Sequence, residues 1–260
     1  MQYISPRQLA RAAGVSESSI KRWCDQGQIP TVKTAGGHRR VTLDAATEFL
    51  RQSRAEFHPE LLGLPSRRGH GERTVRNLID DLYREVVAGD EEACHRILFE
   101  LHLAGEPMSR IFDMFVTPVL HRVGDGWECG DVQVYQERRA CSTILRAFDR
   151  LKSVIPSPSV TAPLAIGGTP ECDPYTVPTE MVELVLRQGD WRSRSLGSRL
   201  PFATMITAIR DLKPELYWLS VSYLDDVEFF LDEYRNFYAQ VQDDVAIVVG
   251  GQGLTPELRK

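Results

Sequence analysis

Two groups of residues in this 260-residue chain have side-chain types and spacing suited to chemistry. The first is the stretch 165–176, AIGGTPECDPYT, where an apolar run meets a glycine pair and is followed by Glu171, Cys172, Asp173 and Thr176. Carboxylates, a thiol and a hydroxyl this close together could hold a ligand, because strand-to-helix turns of open α/β sheets are where such folds bind them. The second group lies in the first 54 residues, where Lys21, Arg22, Lys33, His38, Arg39 and Arg40 accompany the short hydroxyls Ser18 and Ser19. Long cations beside short polar side chains suit phosphates and base edges.

Charge separates the two groups. Residues 1–54 hold nine Lys or Arg against four Asp or Glu, although the whole chain has a net charge of −5. A basic head on an acidic body points to a polyanionic partner at the head alone. The five cysteines, Cys24, Cys94, Cys129, Cys141 and Cys172, form no C-x-x-C pair, so neither a structural zinc site nor a disulfide framework is expected. No histidine lies beyond His121, and no metal site is expected. The sequence has no apolar run of roughly 20 residues and no signal-peptide core, which predicts a cytoplasmic protein.

The head must hold its cations on small elements. Ser5-Pro6 reads as an N-cap with proline at the first helical position, Gly14 as a tight turn, and Ser16 as the cap of a second helix near 17–26. That is helix-turn-helix spacing, with Val15, Ile20 and Trp23 on the buried side of the second helix. The segment TVKTAGGHRRVT alternates around Gly36-Gly37 as a hairpin, and a further helix over 43–51 closes the domain. These residues, ARAAGVSESSIKRW followed by GQIPTVKTAGGHRRV, resemble the winged helix-turn-helix DNA-binding domain of the MerR family. The resemblance implies double-stranded operator DNA as partner, with Ser18, Ser19, Lys21, Arg22, Lys33, His38, Arg39 and Arg40 as DNA-binding residues.

Residues 55–73 mix charge, proline and glycine without periodicity and read as a linker. From Thr74 the period is helical, and four segments, ending near 88, 103, 124 and 155, predict a four-helix bundle over 74–156. The last two enclose VGDGWECGDVQVYQER. This resembles the helical cap of cobalamin-binding light-sensing regulators of the CarH and LitR type, which carry a Trp, nine residues, then Glu-His. Trp127 and Glu137 match and are implied to cover a corrin; Arg138 stands at the histidine position and cannot ligate, since guanidinium only donates.

From 157 onward, strands near 162–166, 191–196, 216–221 and 245–249 alternate with helices near 177–188, 201–211 and 225–239, predicting a Rossmann-like parallel sheet. The turn at 165–176, Ser220 and Ser222, and Gly250-Gly251 resemble the cobalamin-binding fold with its D-x-H-x-x-G turn, S-x-L element and paired glycine. That resemblance implies a slot for a nucleotide tail, lined by Ser220, Ser222, Gly250 and Gly251. Yet Glu171, Asp173 and Thr176 stand at the Asp, His and Gly positions, so the cobalt-ligating imidazole is missing, and the fold's fifth strand and last helix are expected to be absent or shortened. Two readings remain open for the body. It holds a tetrapyrrole without histidine, as cobalamin, a bilin or haem, with Cys129, Cys141 or Cys172 available to attach or ligate it; or it holds no cofactor and serves oligomerisation or protein interaction. The expected whole is a multidomain, non-enzymatic, DNA-binding regulator acting as a dimer or tetramer.

Overall fold

The computed structural model describes residues 3–34, 36–53, 58, 62 and 75–258, and it divides into two compact units, Met1–Pro156 and Ser157–Lys260. The predicted linker at 55–73 lies, apart from His58 and Leu62, outside the described residues. Among the described residues no helix is long and apolar enough to cross a membrane.

The first unit begins with β1 (Tyr3–Ile4), α1 (Pro6–Ala12), α2 (Glu17–Asp25), β2 (Thr31–Lys33), β3 (Arg39–Thr42) and α3 (Leu43–Ser53). Ser5 caps α1 by accepting from the Gln8 amide, Gln8 reciprocates as a capping box, and Pro6 needs no donor there. Ser16 caps α2, and Gly14 makes the turn between them at φ +63°. Leu9, Ile20, Ile29, Val41, Leu43 and Ala46 form the core under these elements. Strands β1, β3 and β2 make a small antiparallel sheet, with Lys33 opposite Arg39 at the mouth of the β2–β3 hairpin.

Further helices follow in the same unit: α4 (Val75–Ala88), α5 (Glu91–Leu103), α6 (Met108–Ile111), a π segment (Phe112–Val116), α7 (Thr117–Glu128) and α8 (Val134–Lys152). Pro118 cannot donate back along the helix, and the single π turn just before it absorbs the interruption. Sequence reasoning ends that helix near Gly124, but α7 runs on to Glu128. Gly126 is required there because a Cβ would lie 2.7 Å from Val132 Cγ2, where the chain folds back into α8. Leu82, Val86, Leu98, Phe99, Phe112, Ile144 and Phe148 are buried among these helices.

The second unit alternates β4 (Leu164–Gly168), α9 (Val177–Gln188), β5 (Arg192–Ser195), α10 (Phe202–Leu212), β6 (Leu216–Ser220), α11 (Val227–Val241) and β7 (Ala246–Gly250). All four strands are parallel, in the order β5-β4-β6-β7. The winding reverses after β5, so the carboxyl ends of β4 and β6 flank the switch point. Ile166, Tyr217, Leu219 and Val221 pack with Met205, Ile209, Phe230 and Phe237 of α10 and α11 on one face. Helix α9 covers the other face at β4 and β6, but not at β7, where Ala246, Val248 and Gly250 are exposed.

The glycine pair corrects the sequence reading. Gly167 and Gly168 end β4 rather than opening the turn, and both are needed for close approach: a Cβ on Gly167 would overlap the Trp218 indole, and one on Gly168 would lie 2.6 Å from Leu200 Cδ1.

Candidate functional site

The basic head presents its cations unequally. Arg22, on the exposed side of α2, and Lys33 and Arg40, on the hairpin, are exposed and have no ion-pair partner among the described residues. His38 is exposed at the hairpin tip, beside Gly37 at φ +76°. Lys21 pairs with Glu17 at 2.8 Å one turn away, an exposed contact that a polyanion can displace. Arg39 differs from the expectation: its Nη2 and Nε donate to Asp25 Oδ1 at 2.6 and 3.2 Å, so it ties the hairpin to the end of α2 and is a strut for this surface. Ser18 is exposed and Ser19 half-buried, with their hydroxyls 2.8 and 2.9 Å from Ser16 Oγ of the cap. Trp23 is half-buried against Phe49, with ring centroids 5.1 Å apart.

At the switch point the turn after β4 and the chain after β6 are joined by one side chain. Asp173 is fully buried; its Oδ2 accepts from the Ser222 amide at 2.5 Å and the Tyr223 amide at 3.3 Å, and its Oδ1 from the Tyr175 amide at 2.9 Å. Burial pushes its carboxyl above the usual aspartate value, offset in part by these three donors and by Arg199. Thr169, missed in the sequence, holds the turn from below: its hydroxyl donates to the Asp173 carbonyl at 2.7 Å and accepts from the Arg199 amide at 3.1 Å. Glu171 is exposed, Cys172 is half-buried with its Sγ donating to the Tyr223 carbonyl, and Thr176 donates to Ser198 Oγ at 3.3 Å.

The tail slot expected along Ser220, Ser222, Gly250 and Gly251 is not open. Ser220 and Ser222 are buried; the Val221 amide donates to the Gly250 carbonyl at 2.7 Å, and the Gly253 amide to the Val221 carbonyl at 2.9 Å. Gly251, at φ +129°, lies so close to Val221 that any Cβ would overlap its backbone. The chain after β7 therefore folds back over the end of β6.

In the first unit Trp127 lies in the last turn of α7, half exposed, rather than in a loop, and Val134, Tyr135 and Arg138 at the start of α8 are also exposed. Glu137 sits between Arg138, 3.5 Å away, and the Cys141 thiol, which donates to it. Burial, reinforced by Glu137, pushes the Cys141 thiol up to about 11, and burial raises Cys172 as well, so neither favours the thiolate that ligation or bilin attachment needs. Cys129 is exposed, its thiol near Asp131. A cleft of about 630 Å³ lies among α4, α7 and α8, but its arginines are engaged: Arg122 with Asp80 at 2.7 Å and over the Tyr83 ring, Arg139 with the Val87 carbonyl.

Residues 3–54 match the family model described as a helix-turn-helix domain, and residues 78–152 the one described as a B12 binding domain. The chain thus combines a helix-turn-helix domain with a B12-binding domain and a Rossmann-like parallel sheet. Among solved structures it is similar to the monomethylamine corrinoid protein of Methanosarcina barkeri, with 18% identity, a TM-score of 0.57, and coverage of 71% of this chain and 88% of that one. It is also similar to a novel cobalamin-binding protein from Desulfitobacterium hafniense DCB-2 (14% identity, 69% and 86% coverage, TM-score 0.36) and to the methanol:cobalamin methyltransferase complex MtaBC of Methanosarcina barkeri (12% identity, 74% and 76% coverage, TM-score 0.33). No curated protein sequence matches the chain. The residues present do not fit a corrinoid ligated by histidine in this unit: Asp173, in the turn after β4, is buried and turned into the backbone, and no histidine lies beyond His121.

Proposed function

We propose that this chain is a cytoplasmic, non-enzymatic transcriptional regulator that binds operator DNA through a MerR-type winged helix-turn-helix head. Its four-helix bundle and cobalamin-binding-like domain, which resemble the modules of CarH and LitR regulators, control oligomerisation and hence operator binding. The observation that carries the reading is the shared exposure of Arg22, Lys33 and Arg40 on α2 and the β2–β3 hairpin, with Arg39 bracing one element against the other. A recognition helix in the major groove with a basic wing beside it uses cations in this way. Two-fold operators call for two heads, so the working form is a dimer or tetramer. Strand β7 supports self-association through the body, since it is an edge strand without a charged residue and exposes Val248.

For the body, the buried and saturated Asp173 favours the cofactor-free reading. A second reading keeps a tetrapyrrole, and with it a response to light: Trp127, Val134 and Tyr135 are exposed apolar surface at the α7–α8 corner, where the family resemblance puts the corrin cover. Selection of bound sequences from random duplex DNA, followed by anisotropy titration of the winning duplex, tests the DNA-binding assignment. An absorption spectrum after supplying cobalamin, biliverdin and haem, in darkness and light, tests the tetrapyrrole.

A further inference from the structure

We infer that the α/β unit is filled from within: Trp218 occupies, and Asp173 bolts shut, the space that a corrinoid's nucleotide tail would need, so the unit keeps its shape without a cofactor and turns cobalamin away. The inference deepens the cofactor-free reading above and rests on it for the body alone.

Successive side chains of a strand point to opposite faces. Since Tyr217, Leu219 and Val221 enter the core shared with α10 and α11, Trp218, Ser220 and Ser222 form a single row on the α9 face. Two small residues at the carboxyl end of such a row would line a slot leading down the sheet. The third member closes it: Trp218 is 2% exposed, and its indole lies over Gly167 of the neighbouring strand, where no Cβ could be accommodated. Its Nε1–H donates to Thr179 Oγ1 at 2.8 Å, in the first turn of α9, so ring and donor are both satisfied between sheet and helix. Indole and the benzimidazole of cobalamin's tail are fused bicyclic planes of the same ring sizes; the side chain fills what the base would fill.

The upper end of the row is closed by Asp173. Its Oδ2 takes the Ser222 and Tyr223 amides, holding the turn after β4 against the turn after β6 where a tail would have to pass between them. Thr169 fixes the same turn through the Asp173 carbonyl, and the fold-back at Gly251 and Gly253 covers Val221 from the β7 side. Entry of a tail would require breaking these bonds and expelling a buried tryptophan together.

The test uses the full chain and hydroxocobalamin as probe, with bound cobalamin read by absorbance after gel filtration. The wild type is expected to retain less than about one-tenth of an equivalent. The double variant Trp218→Gly, Asp173→His, which removes the filler and supplies the missing imidazole, is expected to retain at least about fivefold more. Stoichiometric uptake by the wild type overturns the inference; so does a folded double variant that retains no more than the wild type. Should the double variant not fold, amide exchange in the wild type decides. The Ser222 and Tyr223 amides are expected to be protected without cofactor and unchanged by millimolar hydroxocobalamin. Exchange at the rate of exposed loop amides overturns the inference, as does protection that appears only with cobalamin. Operator binding, read separately, reports on the head and distinguishes failure of this inference from failure of the DNA-binding reading.

Discussion

Replacing Asp173 by alanine removes one carboxylate that three backbone amides share, and the structure sets what that costs. Hydrogen bonds to a charged group contribute about 1.5–3 kcal/mol each, and a buried donor left without an acceptor costs about 1–3 kcal/mol. Tyr175 and Tyr223 are exposed residues whose amides can turn to water, whereas Ser222 is buried and its amide is stranded. The gain from no longer burying a carboxylate offsets part of the loss, leaving roughly 2–4 kcal/mol. At 1.4 kcal/mol per tenfold, amide exchange in β6 and the turn after it should accelerate about 30- to 700-fold in Asp173→Ala, with the α4–α8 helices unaffected. Asp173→Asn should fall between, because its one oxygen can serve Ser222 only by presenting an NH₂ group to Tyr175, or the reverse. Amide exchange followed by mass spectrometry reads this directly. An alanine variant within threefold of wild type refutes the staple, as does an asparagine variant as labile as the alanine one.

Two further outcomes come from the helical part of the first unit. His95 is buried, with Phe99 stacked on it and Arg150 and Glu92 nearby; burial first, and Arg150 second, lower its pKa from 6.5 to about 4, against an opposing pull from Glu92. A lowered histidine pKa means that the unfolded chain takes up the proton first. Stability should therefore be full above pH 6.5 and fall by about 3 kcal/mol as pH drops to about 4; urea titration of His95→Leu should show that slope flattened. Gly126→Ala should lower the thermal midpoint despite alanine's helix preference, because the new methyl meets Val132 Cγ2 at 2.7 Å; a cost of about 1–3 kcal/mol is expected, and a raised midpoint would count against the packing of the α7–α8 corner.

Much of the architecture is legible in the chain because local signals and tertiary demands agree. Ser5-Pro6 and Ser16 mark both helix starts in the head, and α9 runs over 177–188 as its apolar period predicts. Misreadings occur where a distant residue decides. Gly167-Gly168 has the composition of a turn, but pairing with β5 and β6 makes it strand, and the approach of Trp218 and Leu200 explains why glycine stands there. Gly124 and Gly126 look like a helix end, but Val132 packs on the second of them and α7 continues through both. At the site, the turn pattern singles out Asp173, yet its reach to Ser222 and Tyr223 depends on which strands are neighbours. Trp218 was within reach of sequence reasoning: it precedes Ser220 by two residues and so shares a face with both serines. Arg39 was not, because its bond to Asp25 spans 14 positions and two elements.

Whether the head reads duplex DNA is decided by the salt dependence of binding to a selected operator duplex for wild type, Arg22→Ala, Arg40→Ala and Arg39→Ala. Arg22→Ala and Arg40→Ala are expected to weaken binding about tenfold or more, each lowering the slope of log K against log salt by about one where it removes a phosphate contact. Arg39→Ala should instead loosen the hairpin, lowering affinity while leaving the salt slope near wild type. No sequence enriched by selection, or Arg22→Ala and Arg40→Ala binding with unchanged affinity and slope, would contradict DNA reading by the head.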